Sequence, residues 1–331
     1  MTDTRKLSVA LVGCGQWGKN IARNLAQLGA LRAICDADAV RGRAMAKDLG
    51  AEYAPDLAAL LERSDIPAVA IATPAATHAA IAGRALDAGK HVYVEKPIAL
   101  SVADAEVLAA KAGAKKLTLM TGHLLQYHPV FMRLLAMVRE GALGTLQYVY
   151  SNRLNQGRVR SEENALWSLA PHDLSMILAL AGGKPFRVSC TGQAAVQKNI
   201  PDLATLNCEF AGGLKAHVFC SWLNPYKEHR LAVIGDKAMA VFTDSAANWE
   251  DKLILYPHRV EWKGGVPEFV KAAGEAVAVD KGEPLRDEVE HFLRCARGER
   301  PCRTGPEEAI PVLEVLAAAQ QAMDSAGPVE L

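Results

Sequence analysis

Apolar and polar positions change period along this chain, and the change divides it in two. Through the first 122 residues, short apolar runs alternate with segments whose apolar residues recur every three or four positions. The runs at 7–12, 31–35, 68–72, 91–94 and 117–121 read as buried strands. Between them, Ile21, Leu25 and Leu28, and later Leu57, Leu60 and Leu61, each mark one helical face. Further helices are predicted over 40–49 and over 77–88, the second stopped by Gly89, and Ser101 with Asp104 caps an Ala- and Leu-rich helix. Strands alternating with helices predict an α/β fold with a doubly wound parallel sheet. Such sheets bind ligands at the carboxyl ends of their strands, so the loops at Gly13, Asp36, Thr73, Glu95 and Gly122 are expected to share one edge.

After Gly122 the rhythm changes. One amphipathic helix carries Val130, Leu134, Leu135 and Val138. Strand-like segments follow at 146–154, 186–196, 204–210, 214–222 and 230–234, separated by Gly, Asn and Pro signals. Their close spacing predicts a large, mostly antiparallel open sheet in an α+β domain. A helix is predicted over 171–181, and two more, near 287–295 and 307–323, close the chain. The expected domains are residues 1–122 and 123–331, with no low-complexity linker between them.

The most informative turn is Gly13-Cys14-Gly15-Gln16-Trp17-Gly18, between the first strand and its helix. Gly13 permits the turn, Gly15 lets a pyrophosphate reach the backbone, and Gly18 lets helix and strand pack closely. The helix then directs free N–H groups and its positive dipole end at the phosphates. Asp36 ends the next strand about 20 residues on, where a carboxylate accepts hydrogen bonds from the adenosine ribose hydroxyls and repels a 2′-phosphate. Arg41 lies several residues into the following helix. NAD is therefore the expected cofactor, in preference to NADP.

Composition removes other classes. In 331 residues, Lys+Arg and Asp+Glu are equal at 37 each, so broad electrostatic nucleic-acid binding is not expected. No apolar run is long enough to span a bilayer, and no apolar signal segment precedes the first strand. The 7 cysteines form neither a CxxC pair nor a Cys/His zinc spacing, and most sit in apolar runs. They read as reduced core residues of a cytoplasmic protein, with no metal site.

Three stretches can carry chemistry. Glu95-Lys96-Pro97 ends a strand on the cofactor edge, where an ammonium stabilises a developing alkoxide and Glu95 orients it. Trp167-Ser168-Leu169-Ala170-Pro171-His172-Asp173 precedes a helical pattern; His172 at a helix N-terminus would be kept a neutral base by the dipole. Asn152-Arg153-Leu154-Asn155-Gln156-Gly157-Arg158-Val159-Arg160 offers three arginines to a diphosphate or carboxylate, although Glu162 and Glu163 equally suit a solvated loop. His123 and Tyr127 open the second domain and are candidates to line the substrate site.

At these residues the chain resembles the glucose–fructose oxidoreductase/inositol dehydrogenase family (Gfo/Idh/MocA). The likeness rests on VGCGQWG with Asp36, on ATPAATH from Ala72 to His78, on VEKP from Val94 to Pro97, on the PHD segment and on the closing GPEEAIPVLEVLAAAQQAM. It implies a Rossmann domain and an α/β substrate-binding domain whose open sheet serves oligomerisation, as a dimer or tetramer. It also implies hydride transfer between a sugar-like secondary alcohol and nicotinamide. Cofactor contacts are then expected from Gly13, Gly15, Gln16, Trp17, Gly18, Asp36, Thr73, Pro74, His78, Glu95, Lys96 and Pro97, with Lys96 and His172 as the catalytic pair. Substrate contacts are expected from His123, Tyr127, Arg153, Asn155, Arg158, Arg160, Trp167, Ser168 and Asp173. Many members carry Asp four residues before the histidine; here Ser168 stands there, leaving Ser168 or Asp173 to tune His172. Residues 150–176 are most similar to members that oxidise the 3-hydroxyl of UDP-N-acetylglucosamine before an aminotransferase acts. Dehydrogenases or ketoreductases of other sugars or UDP-uronic acids, and NAD-assisted glycosidases, remain alternatives.

Overall fold

A computed structural model describes residues 7–157 and 159–331. Its first elements are β1 (Val9–Val12), α1 (Gly18–Gln27), β2 (Leu31–Cys35), α2 (Ala39–Leu49), β3 (Glu52–Tyr53) and α3 (Leu57–Glu62). Then come β4 (Ala68–Ile71), α4 (His78–Asp87), β5 (His91–Glu95), α5 (Val102–Lys115) and β6 (Leu119–Gly122). The chain continues through α6 (Pro129–Arg139), β7 (Leu146–Leu154), α7 (Ala165–Ala181), β8 (Arg187–Gln193), β9 (Leu203–Glu209) and β10 (Lys215–Ser221). It then forms β11 (Glu228–Gly235), β12 (Met239–Thr243), β13 (Leu253–Tyr256), β14 (Arg259–Lys263), β15 (Val266–Val270) and β16 (Glu275–Ala276). The last elements are α8 (Pro284–Ala296), α9 (Pro306–Ser325) and β17 (Val329–Glu330).

The chain divides into two compact units, one reaching to Tyr127 and resuming over Glu283–Leu313, the other made of His128–Gly282 and Glu314–Leu331. The first unit holds the expected parallel sheet, in the order β3-β2-β1-β4-β5-β6. Strand order reverses between β1 and β4, which is the switch point where such sheets open a ligand crevice. Val9, Leu11, Ile21, Leu25, Ile34 and Tyr93 build its core. Residues 283–313, grouped by the sequence reading with the second domain, fold with this unit instead. The reason is the apolar stripe of α8, whose Val289, Phe292 and Leu293 complete the same core.

The second unit holds nine strands in the order β16-β13-β12-β11-β7-β10-β9-β8-β17. All neighbours are antiparallel except β7 and β10, so the mostly antiparallel open sheet is borne out. The almost wholly apolar α7 lies on β7, β9 and β10. It begins at Ala165, earlier than the expected 171, because Asn164 caps it by accepting the Trp167 N–H at 3.1 Å. Pro171 is carried inside the helix.

In the glycine turn, glycine is required for geometric reasons. Gly13 has φ +88°, and a Cβ there would lie 2.8 Å from the Ala72 carbonyl oxygen. A Cβ at Gly18 would lie 2.1 Å from the Gly13 carbonyl oxygen, so α1 starts in direct contact with the end of β1. Gly18→Ala is expected to cost about 1–3 kcal/mol, the usual range for overpacking. A urea midpoint unchanged from wild type would contradict this packing.

Candidate active site

The first unit brings the sequence-predicted cofactor residues to one sheet edge. Gly15 faces open space, since a Cβ there would meet nothing within 4 Å. Trp17 occupies the N-cap position of α1 without a side-chain cap, and the first turn carries no acidic residue. The helix end is thus free of its own anion, as a phosphate site requires.

Asp36, at the end of β2, is buried and tied down. Its carboxylate accepts the Cys14 N–H at 2.7 Å, the Asp38 N–H at 2.8 Å and the Arg41 guanidinium at 2.7 Å. Burial pushes its pKa up, but the Arg41 and backbone hydrogen bonds outweigh this and bring it down to about 2. Arg41, which the sequence places too far along the helix to matter, therefore reaches back onto Asp36. A single turn of α2, capped by Asp38, brings it there.

His78 braces two loops of this edge. Its ring nitrogens lie 2.8 Å from the Pro97 and Thr73 carbonyl oxygens, which fixes the loop after β4 to the loop after β5. Burial lowers its pKa, and the Lys96 charge acts in the same direction. Thr73 also accepts from, or donates to, the Thr77 hydroxyl at 2.7 Å, and Pro74 is exposed beside it. Glu95 accepts the Trp17 indole N–H at 2.5 Å and the Tyr93 hydroxyl at 3.0 Å. Its backbone successor, the Lys96 N–H, lies 3.3 Å from its other oxygen. Gln16 is exposed and Lys96 half-buried. His123 is buried against Glu308 at 2.6 Å, and the Tyr127 hydroxyl is buried against Thr304 at 3.1 Å.

The second unit treats its candidates differently. Arg153 and Asp173 are both buried and bonded to each other, and Ser151 donates to the same carboxylate at 2.5 Å. Expected as substrate contacts, they instead compensate each other between β7 and α7, because two charges buried this deeply must be paired. Asn155 follows β7 directly, its N–H donating to the Ser221 carbonyl at 3.0 Å. Arg160 pairs with Glu163 at 2.9 Å, as a solvated loop would. Arg158 lies outside the described residues. The Trp167 indole N–H donates to Gln320 at 3.1 Å, Ser168 is buried, and His172 is half-buried. His172 is not at a helix N-terminus. It lies about two turns inside α7, beyond the reach of the terminal dipole, so that account of its basicity falls away. Ser168 and His172 are four residues apart on this helix and share one face.

The sequence reading missed Tyr93 and Glu288. Both were visible as anomalies: Tyr93 alternates with Glu95 on one face of β5, and Glu288 is a carboxylate on the apolar stripe of α8. Among the described residues no group of three or more His, Cys, Asp or Glu could hold a metal ion, and no helix is long and apolar enough to cross a membrane.

A doubly wound sheet with a glycine turn, an uncapped helix end and a carboxylate closing the second strand is the arrangement of a dinucleotide-binding oxidoreductase. The chain belongs to the GFO/IDH/MocA oxidoreductase family: the model of its NAD-binding Rossmann domain matches residues 7–123, and that of its C-terminal domain residues 131–241. It is an NAD-dependent dehydrogenase of this family. It is 30% identical to UDP-N-acetylglucosamine 3-dehydrogenase of Acidithiobacillus ferrooxidans over 95% of this chain and 96% of the relative. The solved structure of that enzyme superposes with a TM-score of 0.83 at 27% identity, covering 96% of this chain and 98% of that one. GenD2 from gentamicin A biosynthesis, solved with NAD, matches at 25% identity and a TM-score of 0.83 over 98% of this chain and 96% of its own. The scyllo-inositol 2-dehydrogenase of Bacillus subtilis is 26% identical over 97% of this chain and 95% of its own.

Two substitutions test whether Asp36 serves as a ribose contact. Asp36→Asn should weaken NAD binding about tenfold, the range for losing a hydrogen bond to a charged group, and narrow the preference over NADP. Fluorescence titration with both cofactors reads this; unchanged affinities would remove Asp36 from the site. Arg41→Ala should raise the acid-unfolding midpoint. The Asp36 pKa lies below its usual 3.8 in the folded chain, so its stabilisation is complete above that value and lost as pH falls towards about 2. Without Arg41 that window moves up. A midpoint that stays put, followed by circular dichroism, would contradict the assignment.

Proposed function

We propose that this dehydrogenase oxidises the 3-hydroxyl of a UDP-N-acetylglucosamine-like nucleotide sugar to a ketone. The observation that carries this reading is the near full-length similarity to an enzyme named for that reaction, together with a lysine at the carboxyl end of β5. Bound NAD supplies the hydride acceptor. Lys96 places its ammonium against the reacting oxygen and stabilises the alkoxide character that develops there. His172 takes the hydroxyl proton, with Ser168 on the same helical face as its neighbour.

Gripping of the diphosphate falls to Asn155, Arg158 and Arg160, since Arg153 is committed to Asp173. Trp167 lines the sugar end in this reading, and His123 and Tyr127 shape the site from buried positions. A 3-keto sugar nucleotide is the substrate class of an aminotransferase, so the product feeds amino-sugar synthesis of the kind used in lipid A or surface polysaccharide. The enzyme works in the cytoplasm as a homo-oligomer formed through its open sheet.

The test is absorbance at the NADH band after mixing protein, NAD and UDP-N-acetylglucosamine, with a carbonyl trap to pull the equilibrium. Reduction is expected, and Lys96→Ala should lower kcat about a thousandfold while binding NAD normally. Near-wild-type turnover by that variant would remove Lys96 from the chemistry. Intact NAD binding with no reduction would overturn the substrate and move it to another sugar.

A further inference from the structure

Behind Lys96, a run of hydrogen bonds ends in a buried acid. The Tyr93 hydroxyl lies 3.0 Å from Glu95 Oε1 and 3.1 Å from Glu288 Oε2. Glu288 projects from α8 with 1% of its surface exposed, and its Oε1 has no hydrogen-bond partner. Tyr93 is enclosed to the same degree.

A phenol carries one proton. Two ionised carboxylates facing one hydroxyl would leave one of these short contacts with no hydrogen between the oxygens. A second proton is therefore required, and the neighbours decide where it sits. Glu95 already accepts the Trp17 indole N–H at 2.5 Å and faces the Lys96 N–H at 3.3 Å, with the Lys96 charge beside it. All of these favour its ionised form, against the burial that pushes its carboxyl up. Glu288 has only the shared Tyr93 hydroxyl. The charged groups facing it are Glu95 from β5 and Glu308 from α9, both carboxylates, and Tyr127 adds only another phenol. Its unpartnered oxygen is tolerable as the carbonyl of a neutral acid and costly as half of a buried carboxylate.

We propose that Glu288 is held as a neutral carboxylic acid that donates to Tyr93, so that Tyr93 must donate to Glu95 and orient that carboxylate behind Lys96. Burial, reinforced by Glu95, pushes the Glu288 carboxyl well above the ordinary range, in agreement with this geometry. Direction matters here. With its proton on Glu288, the relay points one way, from α8 through β5 to the residue before the lysine. The site then holds one negative charge against one ammonium. A second carboxylate would draw the ammonium towards the protein and away from the developing alkoxide. Glu288 is a positioning residue acting through Tyr93 and Glu95, and this role rests on the reading of Lys96 given above.

Infrared difference spectroscopy of the full chain tests the protonation without any substrate. A protonated-carboxyl carbonyl band is expected at neutral pH, absent from Glu288→Gln. If no such band is lost, the proposal fails. Glu288→Gln keeps a donor for Tyr93, so its kcat and pH–rate profile should stay within about twofold of wild type. Tyr93→Phe keeps the packing and breaks the relay; kcat should fall about tenfold and the pH–rate profile should shift, with NAD affinity changed by less than about twofold. A Gln variant as impaired as the Phe variant, or a Phe variant with an unaltered profile, would overturn the positioning role. Turnover is followed with whichever sugar the wild-type protein oxidises, so a wrong substrate does not pass for a failed relay. A Lys96→Ala variant that retains turnover marks the failure of the lysine reading instead.

Discussion

The approach of α1 to the end of β1 is the constraint on which the cofactor edge depends. Gly18 meets the Gly13 carbonyl at a distance that leaves no room for a side chain, and Gly13 itself needs a positive φ under the Ala72 carbonyl. This contact sets where the helix N-terminus points. It also brings the Cys14 N–H onto the Asp36 carboxylate, joining the ends of two neighbouring strands. A looser turn would separate the backbone of the glycine turn from the Asp36 carboxylate. The geometry of the turn and the chemistry of the edge are thus one property.

Around this turn, polar side chains act as braces before they act on a ligand. His78 holds the loop after β4 to the loop after β5 through two backbone carbonyls, and burial keeps the ring from protonating readily. Arg41 holds Asp36 ionised, and Trp17 ties the glycine turn to Glu95. An edge made of separate loops becomes a fixed surface by these cross-links, of which those of His78 and Trp17 join segments that follow different strands. Preorganisation of this kind is what the proposed role of Lys96, stabilising a reacting oxygen without rearrangement, requires.

The second unit solves a related problem of buried charge. Arg153 on β7 and Asp173 on α7 compensate each other under the helix, with Ser151 completing the carboxylate's hydrogen bonds. Removing either partner would strand the other in an apolar setting, a far greater cost than losing a surface ion pair. This pair locks α7 to the sheet and thereby fixes the helical position of His172. An arginine that looks like a ligand-binding group in a polar stretch of sequence is, in the fold, part of the buried link between β7 and α7.

Local patterns settled most of the first unit. The alternation of apolar runs and helical faces, the glycine turn and the acid ending β2 rest on short-range geometry, which a sequence states directly. The mostly antiparallel character of the second sheet was legible too, from turn signals between closely spaced strands. Long-range facts were not. That residues 283–313 return to the first unit depends on which core has room for Val289 and Phe292. The start of α7 depended on Asn164 outcompeting Pro171 as the helix-initiating signal. Which charges face a ligand and which face each other was decided by burial, as Arg153 with Asp173 and Glu288 with Tyr93 demonstrate. Sequence specifies which charges exist and where each element begins to turn; desolvation, set only when distant elements close over them, decides which must find a partner inside the protein.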